Sequence, residues 1–275
     1  MIIKLLILLI VLYLIAIYPD TSRKGRSAAY EKKFLAHRGL FNNIDVPENS
    51  LIAFRKAVEN DFGIELDVQL TTDDRLVVFH DASLKRMTGI DKNLTDCSYE
   101  ELLNYPLLDT KEQIPLFEDV LKVLKPDTPL VIEIKAEGRY IETTQKTVEM
   151  MRGYEGLYNM ESFNPMVVRY LRMNEPQIIR GQLSYDYLHD PNAKVSKPVA
   201  FALTYLLLNF LTRPDYIAYD VEGSDNLSFQ LMSKLFKAEC VAWTVKSKKQ
   251  FQEKKHLYQC FIFDSWLPDN NDLNE

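Results

Sequence analysis

Short apolar runs alternate with amphipathic stretches from residue 34 to the end of the chain. Candidate strands are Phe34-Leu35-Ala36 and residues 63–70, 130–135, 157–163, 178–183, 216–219, 241–245 and 261–263. Most are separated by stretches with apolar positions at helical spacing. At 50–60, Leu51, Phe54, Ala57 and Val58 share one stripe behind an Asn49 or Ser50 cap, and 116–124, 165–173, 227–238 and 248–256 read the same way. Eight strands joined by crossovers predict a closed (β/α)8 barrel. An open doubly wound sheet is the alternative, but no Gly-rich phosphate turn supports it. Leu76-Val77-Val78-Phe79 breaks the alternation, resuming the apolar pattern too soon after Leu70 for a crossover helix, and so predicts a β-hairpin. The polar stretch that follows, about 82–114, reads as a small insertion after the second strand.

The N-terminus has a different pattern. Residues 2–18 are apolar apart from Lys4, which predicts a transmembrane helix at the short end of the usual length, with 1–19 as anchor, 20–33 as linker and 34–275 as the barrel domain. A cleaved signal peptide is disfavoured, because the only small-residue site, Ser27-Ala28-Ala29, lies well beyond the apolar core. Arg23, Lys24, Arg26, Lys32 and Lys33 outweigh Lys4 on the other flank, so the positive-inside rule favours a cytoplasmic over an external catalytic domain. A second apolar run, 199–211, is too short to span a bilayer. It reads as a buried or interfacial helix whose Phe201, Leu207, Leu208 and Leu211 could rest on a nearby membrane.

Composition narrows the function classes. The 275 residues are 47% hydrophobic and 26% charged, enough for one large domain with a sizeable core. A net charge of −6 argues against a nucleic-acid partner. Cys97, Cys240 and Cys260 are too few and too scattered for a disulfide framework or a zinc site.

Candidate chemistry begins with Glu65 and Asp67. As a strand, 63–70 sends both side chains from one face roughly 6–7 Å apart, a spacing at which two carboxylates can share a divalent cation. A two-residue turn at Asp73-Asp74 would pair Asp67 with His80, whereas a one-residue change of register would put His80 on the other face. A solvated strand face is the plainer explanation of any single such pair. Yet His37 and Arg38, Glu65 and Asp67, Glu133 and Lys135, and Trp243 all fall at C-terminal strand ends, where barrel enzymes assemble their sites. A buried cluster of that kind would be costly without an ion and an anion to compensate it.

These residues also carry a resemblance. In Ala36-His37-Arg38-Gly39, Pro47-Glu48-Asn49-Ser50, the block holding Glu65, Asp67, His80 and Asp81, Ile114-Pro115, Ile132-Glu133-Ile134-Lys135, Ser162-Phe163 and Trp243-Thr244-Val245, the chain resembles the glycerophosphodiester phosphodiesterase family. The resemblance implies a barrel hydrolase with one divalent cation, Ca2+ or Mg2+, held by Glu65, Asp67 and Glu133. His37 and His80 would be the acid/base pair, Arg38 and Lys135 would hold the phosphate, and Trp243 and Glu48, with Asn49, would shape the substrate site. Oxygen-only ligands suit such a cation, and a phosphodiester needs its charge neutralised while one histidine activates the nucleophile and the other protonates the leaving alkoxide. The nucleophile can be water or the neighbouring glycerol hydroxyl. Two departures stand out: Asp73-Asp74 replaces a common Asp-Gly, and 259–265 lack the family's usual Gly and Thr-Asp pair, although no candidate site residue is placed there.

The activity implied is hydrolysis of a glycerophosphodiester to sn-glycerol 3-phosphate and an alcohol, in glycerophospholipid catabolism. A lysophospholipid cleaved on its headgroup side is the alternative substrate, and a phosphatidylinositol phospholipase C type of barrel is a more distant alternative. From a different class, a catalytically inactive, membrane-tethered binding module would be favoured by loss of a ligand or a histidine, and none is lost.

Overall fold

A computed structural model describes residues 1–27, 33–269 and 272. Its strands are β1 (Phe34–His37), β2 (Gly63–Leu70), β3 (Leu76–Val78), β4 (Leu130–Ile134), β5 (Tyr158–Ser162), β6 (Arg180–Ser184), β7 (Tyr216–Asp220), β8 (Glu239–Val245) and β9 (Cys260–Phe263). All but β3 are parallel, and β1 pairs with both β2 and β9, which closes an eight-stranded barrel. The sequence-predicted barrel is therefore the observed fold.

Alternation along the strands separates two apolar layers. Leu35, Val131, Leu183, Tyr216, Ala218, Val241, Cys260 and Ile262 make one buried cluster, while their strand neighbours, such as Ala36, Ile64, Ile132 and Ile217, pack in a larger one with Phe54, Phe117, Val167 and Phe229 of the surrounding helices. Gly181 is required by the first layer, because a Cβ there would lie 2.3 Å from the Tyr216 ring. Helices Leu51–Glu59, Phe117–Val123, Tyr140–Met151, Pro165–Asn174, Leu227–Lys234 and Lys248–Lys254 come after β1, β3, β4, β5, β7 and β8 respectively. Ser50 caps the first of them by accepting from Ala53 N.

The hairpin forms one residue out of the expected register. Val68 pairs with Val78, so Asp67 lies across from Phe79 rather than His80. The loop takes three residues, with Thr71 N donating to Arg75 O at 3.0 Å and Asp74 in the left-handed region at φ 63°. Asp73 Oδ1 stabilises this turn by accepting from Thr71 Oγ1 and Tyr99 N. Phe79 joins Val77, Leu84, Met87, Leu94 and Leu107 in a separate core that gives the insertion its own packing.

The expected transmembrane anchor is not supported. The helix Ile2–Ile17 has 16 residues, and no helix among the described residues is long and apolar enough to cross a membrane. At 1.5 Å per residue it is about 24 Å long, against a hydrocarbon core of about 30 Å. Pro19 ends it by disfavouring helical geometry at Tyr18, which is extended. Its last turn docks on the barrel: Ile17 is fully buried, Tyr13 Oη lies 2.7 Å from Ser228 Oγ, and Asn209 Nδ2 donates to Ile17 O. The expectations of a membrane partner, a single-pass location and a cytoplasmic-facing domain fall with the anchor.

The stretch read as a linker lies against the N-terminal ends of the strands. Arg23 Nε donates to Asp215 Oδ1 at 2.8 Å, Asp20 N to Pro214 O, and Gly25 N to Glu239 Oε1. Residues 28–32, including most of the Ser27-Ala28-Ala29 site, lie outside the described residues. The 199–211 run divides into helices Lys197–Thr204 and Asn209–Thr212, with Leu206 in the core and Phe201 exposed. Its expected membrane contact depended on the anchor.

Candidate active site

At the C-terminal ends of the strands a cavity of about 350 Å³ is lined by His37, Arg38, Glu48, Glu65, His80, Glu133 and Trp243, joined by Phe41, Glu161, Phe163 and Asp264. The predicted residues that line it are placed there by local devices. The β1 strand delivers His37, after which Arg38 turns the chain at φ 56° with its N–H on Glu65 O at 2.9 Å. Gly39 follows at φ 82°, where a Cβ would be 2.9 Å from Ala53. His80 lies beyond the end of β3, so the strand alternation does not bind it and it lines the cavity despite the shifted register. Between Ala242 and Val245 the β8–β9 ladder shifts, and Trp243 and Thr244 both face the cavity where a regular strand would divide them.

Glu65, Asp67 and Glu133 come together, each offering an oxygen within 4.8 Å of the others, all buried. Asp67 and Glu133 are register partners on β2 and β4. Burial, reinforced by the neighbouring carboxylates, pushes Glu65 well above the usual carboxylate range and raises Glu133 despite Lys135. Asp67 goes the other way, since the fields of His80, Lys135 and Arg38 and a hydrogen bond from Asn49 Nδ2 at 2.8 Å overcome its burial. Its Oδ1 nonetheless accepts no hydrogen bond, and Lys135 Nζ stands off at 3.4 Å. Crowded oxygen donors with an unpartnered buried atom fit a hard divalent cation.

Lys135 Nζ pairs with Glu133 Oε1 at 2.9 Å. Neither Lys135 nor Asp67 lines the cavity, so both stand behind its wall rather than on it. Arg38 Nη1 donates to Glu48 Oε1 at 2.7 Å, while its buried Nε has no hydrogen-bond partner. Glu48, expected to contact substrate, is taken up by protein donors: Arg38, Asn43 Nδ2 and Arg86 all bond to it. Burial alone would raise its pKa, but these donors hold it at about 2. Trp243 packs edge-on against Phe163 at 5.2 Å, and its buried indole N–H is unpartnered.

Four further groups escaped the sequence reading. Asp264, just past β9, accepts from His37 Nδ1 through its Oδ2 at 2.9 Å, so the chain just past the last strand lines the site. Burial, aided by Arg38, lowers the His37 pKa, against the opposing pull of Asp264. Asp81 Oδ1 lies 2.7 Å from His80 Nδ1, and Arg86 bonds to Asp81 as well as Glu48. Glu161, fully enclosed on β5, takes a hydrogen bond from Tyr216 Oη at 2.8 Å, and burial pushes it up to about 8. Signals existed for two of these: Asp81 adjoins His80, and Asp264 directly follows the last apolar run.

A closed parallel barrel with two imidazoles, a buried acidic triad and an arginine at its strand ends suits hydrolysis of a phosphoric ester. Residues 37–266 match the model of the glycerophosphoryl diester phosphodiesterase family, and the chain belongs to that family. It is 33% identical over 172 residues to a glycerophosphodiester phosphodiesterase of Bacillus altitudinis, covering 58% of this chain and 69% of that protein. A lysophospholipase D of Rattus norvegicus is 33% identical over 162 residues, covering 54% of this chain and 49% of that protein, so the chain spans about half of that relative's length. An Oleispira antarctica phosphodiesterase solved with its product sn-glycerol-3-phosphate superposes with a TM-score of 0.71 at 20% identity, over 90% of this chain and 99% of that one.

Proposed function

We propose that the protein hydrolyses glycerophosphodiesters to sn-glycerol 3-phosphate and an alcohol with the aid of one divalent cation, calcium or magnesium, as a step in glycerophospholipid breakdown. The observation that carries this reading is a cavity lined by two imidazoles, Arg38, Glu65 and Glu133, with the oxygens of those two carboxylates clustered with one of Asp67 behind its wall. A cation bound by those oxygens would draw charge from the phosphoryl group and lower the barrier to attack. Arg38, whose Nε makes no hydrogen bond and stands 3.5 Å from Asp67 Oδ2, offers the anion a directed donor, and Lys135 adds a fixed positive charge behind the triad.

His37 is the base in this account. Burial keeps its ring neutral, and donation of Nδ1–H to Asp264 leaves Nε2 free to take the proton of the attacking hydroxyl, from water or from the glycerol moiety. His80, tethered at Nδ1 by Asp81, gives a proton to the departing alkoxide. The bond to phosphorus forms as the phosphorus–alkoxide bond breaks, and the protons taken and given balance; where the glycerol hydroxyl attacks, the product is a cyclic phosphate, which water then opens to glycerol 3-phosphate. Trp243 and Phe163 wall the space beside the reacting centre. Turnover of glycerophosphocholine in 18O-labelled water tests the assignment: labelled glycerol 3-phosphate and unlabelled choline are expected, whereas phosphocholine as the product would overturn it.

A second reading, lysophospholipid cleavage, is favoured by one feature. A neighbouring cavity of about 460 Å³, lined by Leu40, Phe41, Trp266 and Leu267, shares Phe41 and Asp264 with the first and offers space for an acyl chain. Release of lysophosphatidic acid from lysophosphatidylcholine at a rate exceeding that of glycerophosphocholine turnover would select this substrate.

A further inference from the structure

We propose, resting on the reading above, that Arg86 is a positioning residue through which the insertion holds both the Arg38 guanidinium and the His80 imidazole in place. Arg86 lies on the short helix Lys85–Thr88. Its Nη1 and Nη2 make a fork to Glu48 Oε2 and Oε1 at 2.8 and 2.7 Å, and its Nε donates to Asp81 Oδ2 at 2.6 Å. Each carboxylate then reaches a residue of the reaction, Glu48 through Arg38 Nη1 at 2.7 Å and Asp81 through His80 Nδ1 at 2.7 Å. One guanidinium thus ties together the first βα loop, the end of the hairpin and the insertion.

The chemistry of the link requires arginine. A planar fork can meet one carboxylate with two N–H groups and another with a third, while the point charge of a lysine cannot span both. The link also affects phosphate binding. Glu48 Oε1 accepts from Arg38 and Arg86 at once, so its charge is shared rather than spent on Arg38 alone. Loss of Arg86 would leave Glu48 competing more strongly with an anion for Arg38, and would free Asp81 to swing away from His80. Leu84 and Met87, both buried in the insertion core, fix the short helix that presents Arg86.

The test measures Arg86→Met and Arg86→Lys in the full chain, with glycerophosphocholine turnover, binding of inorganic phosphate and thermal unfolding in parallel. Arg86→Met is expected to lose about 10–100-fold in kcat/KM, the scale seen when groups orienting a first ring of ligands are removed. The loss is expected to divide between a higher KM, from Arg38, and a lower kcat, from His80. Weaker phosphate binding and partial recovery with millimolar guanidinium ion complete the expected result, since neither follows from a purely structural role. Arg86→Lys is expected to recover little of the loss, and it carries the same test if Arg86→Met does not fold. Lys85→Ala, which removes only the exposed pair with Asp91, is the control and should match the wild type. Wild-type kinetics and phosphate affinity in a folded Arg86 variant, or a loss confined to thermal stability, would overturn the positioning role alone. A wild type that neither hydrolyses the substrate nor binds phosphate would overturn the reading of the site and the positioning role with it.

Discussion

The two ends of the barrel both bury charge, but only one end leaves it unsatisfied. At the N-terminal face Arg23 and the backbone N–H of Arg180 converge on Asp215, Arg180 Nη2 reaches Arg213 O, and Glu239 accepts from Gly25 N. None of these charged atoms is a buried orphan among the described residues. At the C-terminal face Asp67 Oδ1, Arg38 Nε and Trp243 Nε1 are buried without hydrogen-bond partners, and three carboxylates crowd one point. Saturated charge at the first face serves folding. Unsaturated charge at the second is costly unless a bound group compensates it.

Substitutions at the two faces should separate stability from activity. The largest effect is expected from Glu65→Ala, which removes an oxygen from the triad. Hydrolysis of glycerophosphocholine should fall by about 10³-fold or more, the scale of a lost electrostatic stabiliser, with far-UV circular dichroism unchanged. His37→Ala should follow, with kcat lower by about 10²–10⁴-fold as for removal of a general base.

Asp264→Asn should cost less, about 10–100-fold, because it acts through the His37 ring. Its pH profile carries a sign. Asp264 favours protonated His37, so its loss lowers a pKa already depressed by burial and moves the acid limb of kcat/KM to lower pH. An unmoved limb would remove His37 from the role of base. The smallest effect on activity is expected from Arg23→Met at the opposite face. Stability should drop by about 1–3 kcal/mol in urea titration, with kcat/KM unchanged. A large kinetic loss there would blur the distinction between the faces.

Much of this arrangement was legible in the sequence. Short apolar strands, period-3.6 helices and their order sufficed for the barrel, and placing acids and histidines at strand ends pointed to the cavity that most of them line. What was missed depends on closure and docking. Asp264 meets His37 from 227 residues away because β9 closes on β1, a contact no local pattern contains. Glu161 reads as one position of a buried strand, and its partner Tyr216 stands two strands further round. The hairpin register turned on a left-handed Asp74, which a two-residue turn at Asp73-Asp74 does not anticipate. Hydropathy alone made residues 2–18 a span, whereas Pro19 and the docking of Tyr13 and Ile17 fit the helix to the barrel surface.

The unsaturated face should be completed by a divalent cation and a phosphodiester. Release of sn-glycerol 3-phosphate from glycerophosphocholine by the full chain, measured in EDTA and after return of excess calcium or magnesium, tests this most directly. Activity should be abolished by the chelator, restored by the cation in the wild type and not restored in Glu65→Ala. Equal release with and without EDTA, or restoration in Glu65→Ala, would contradict this.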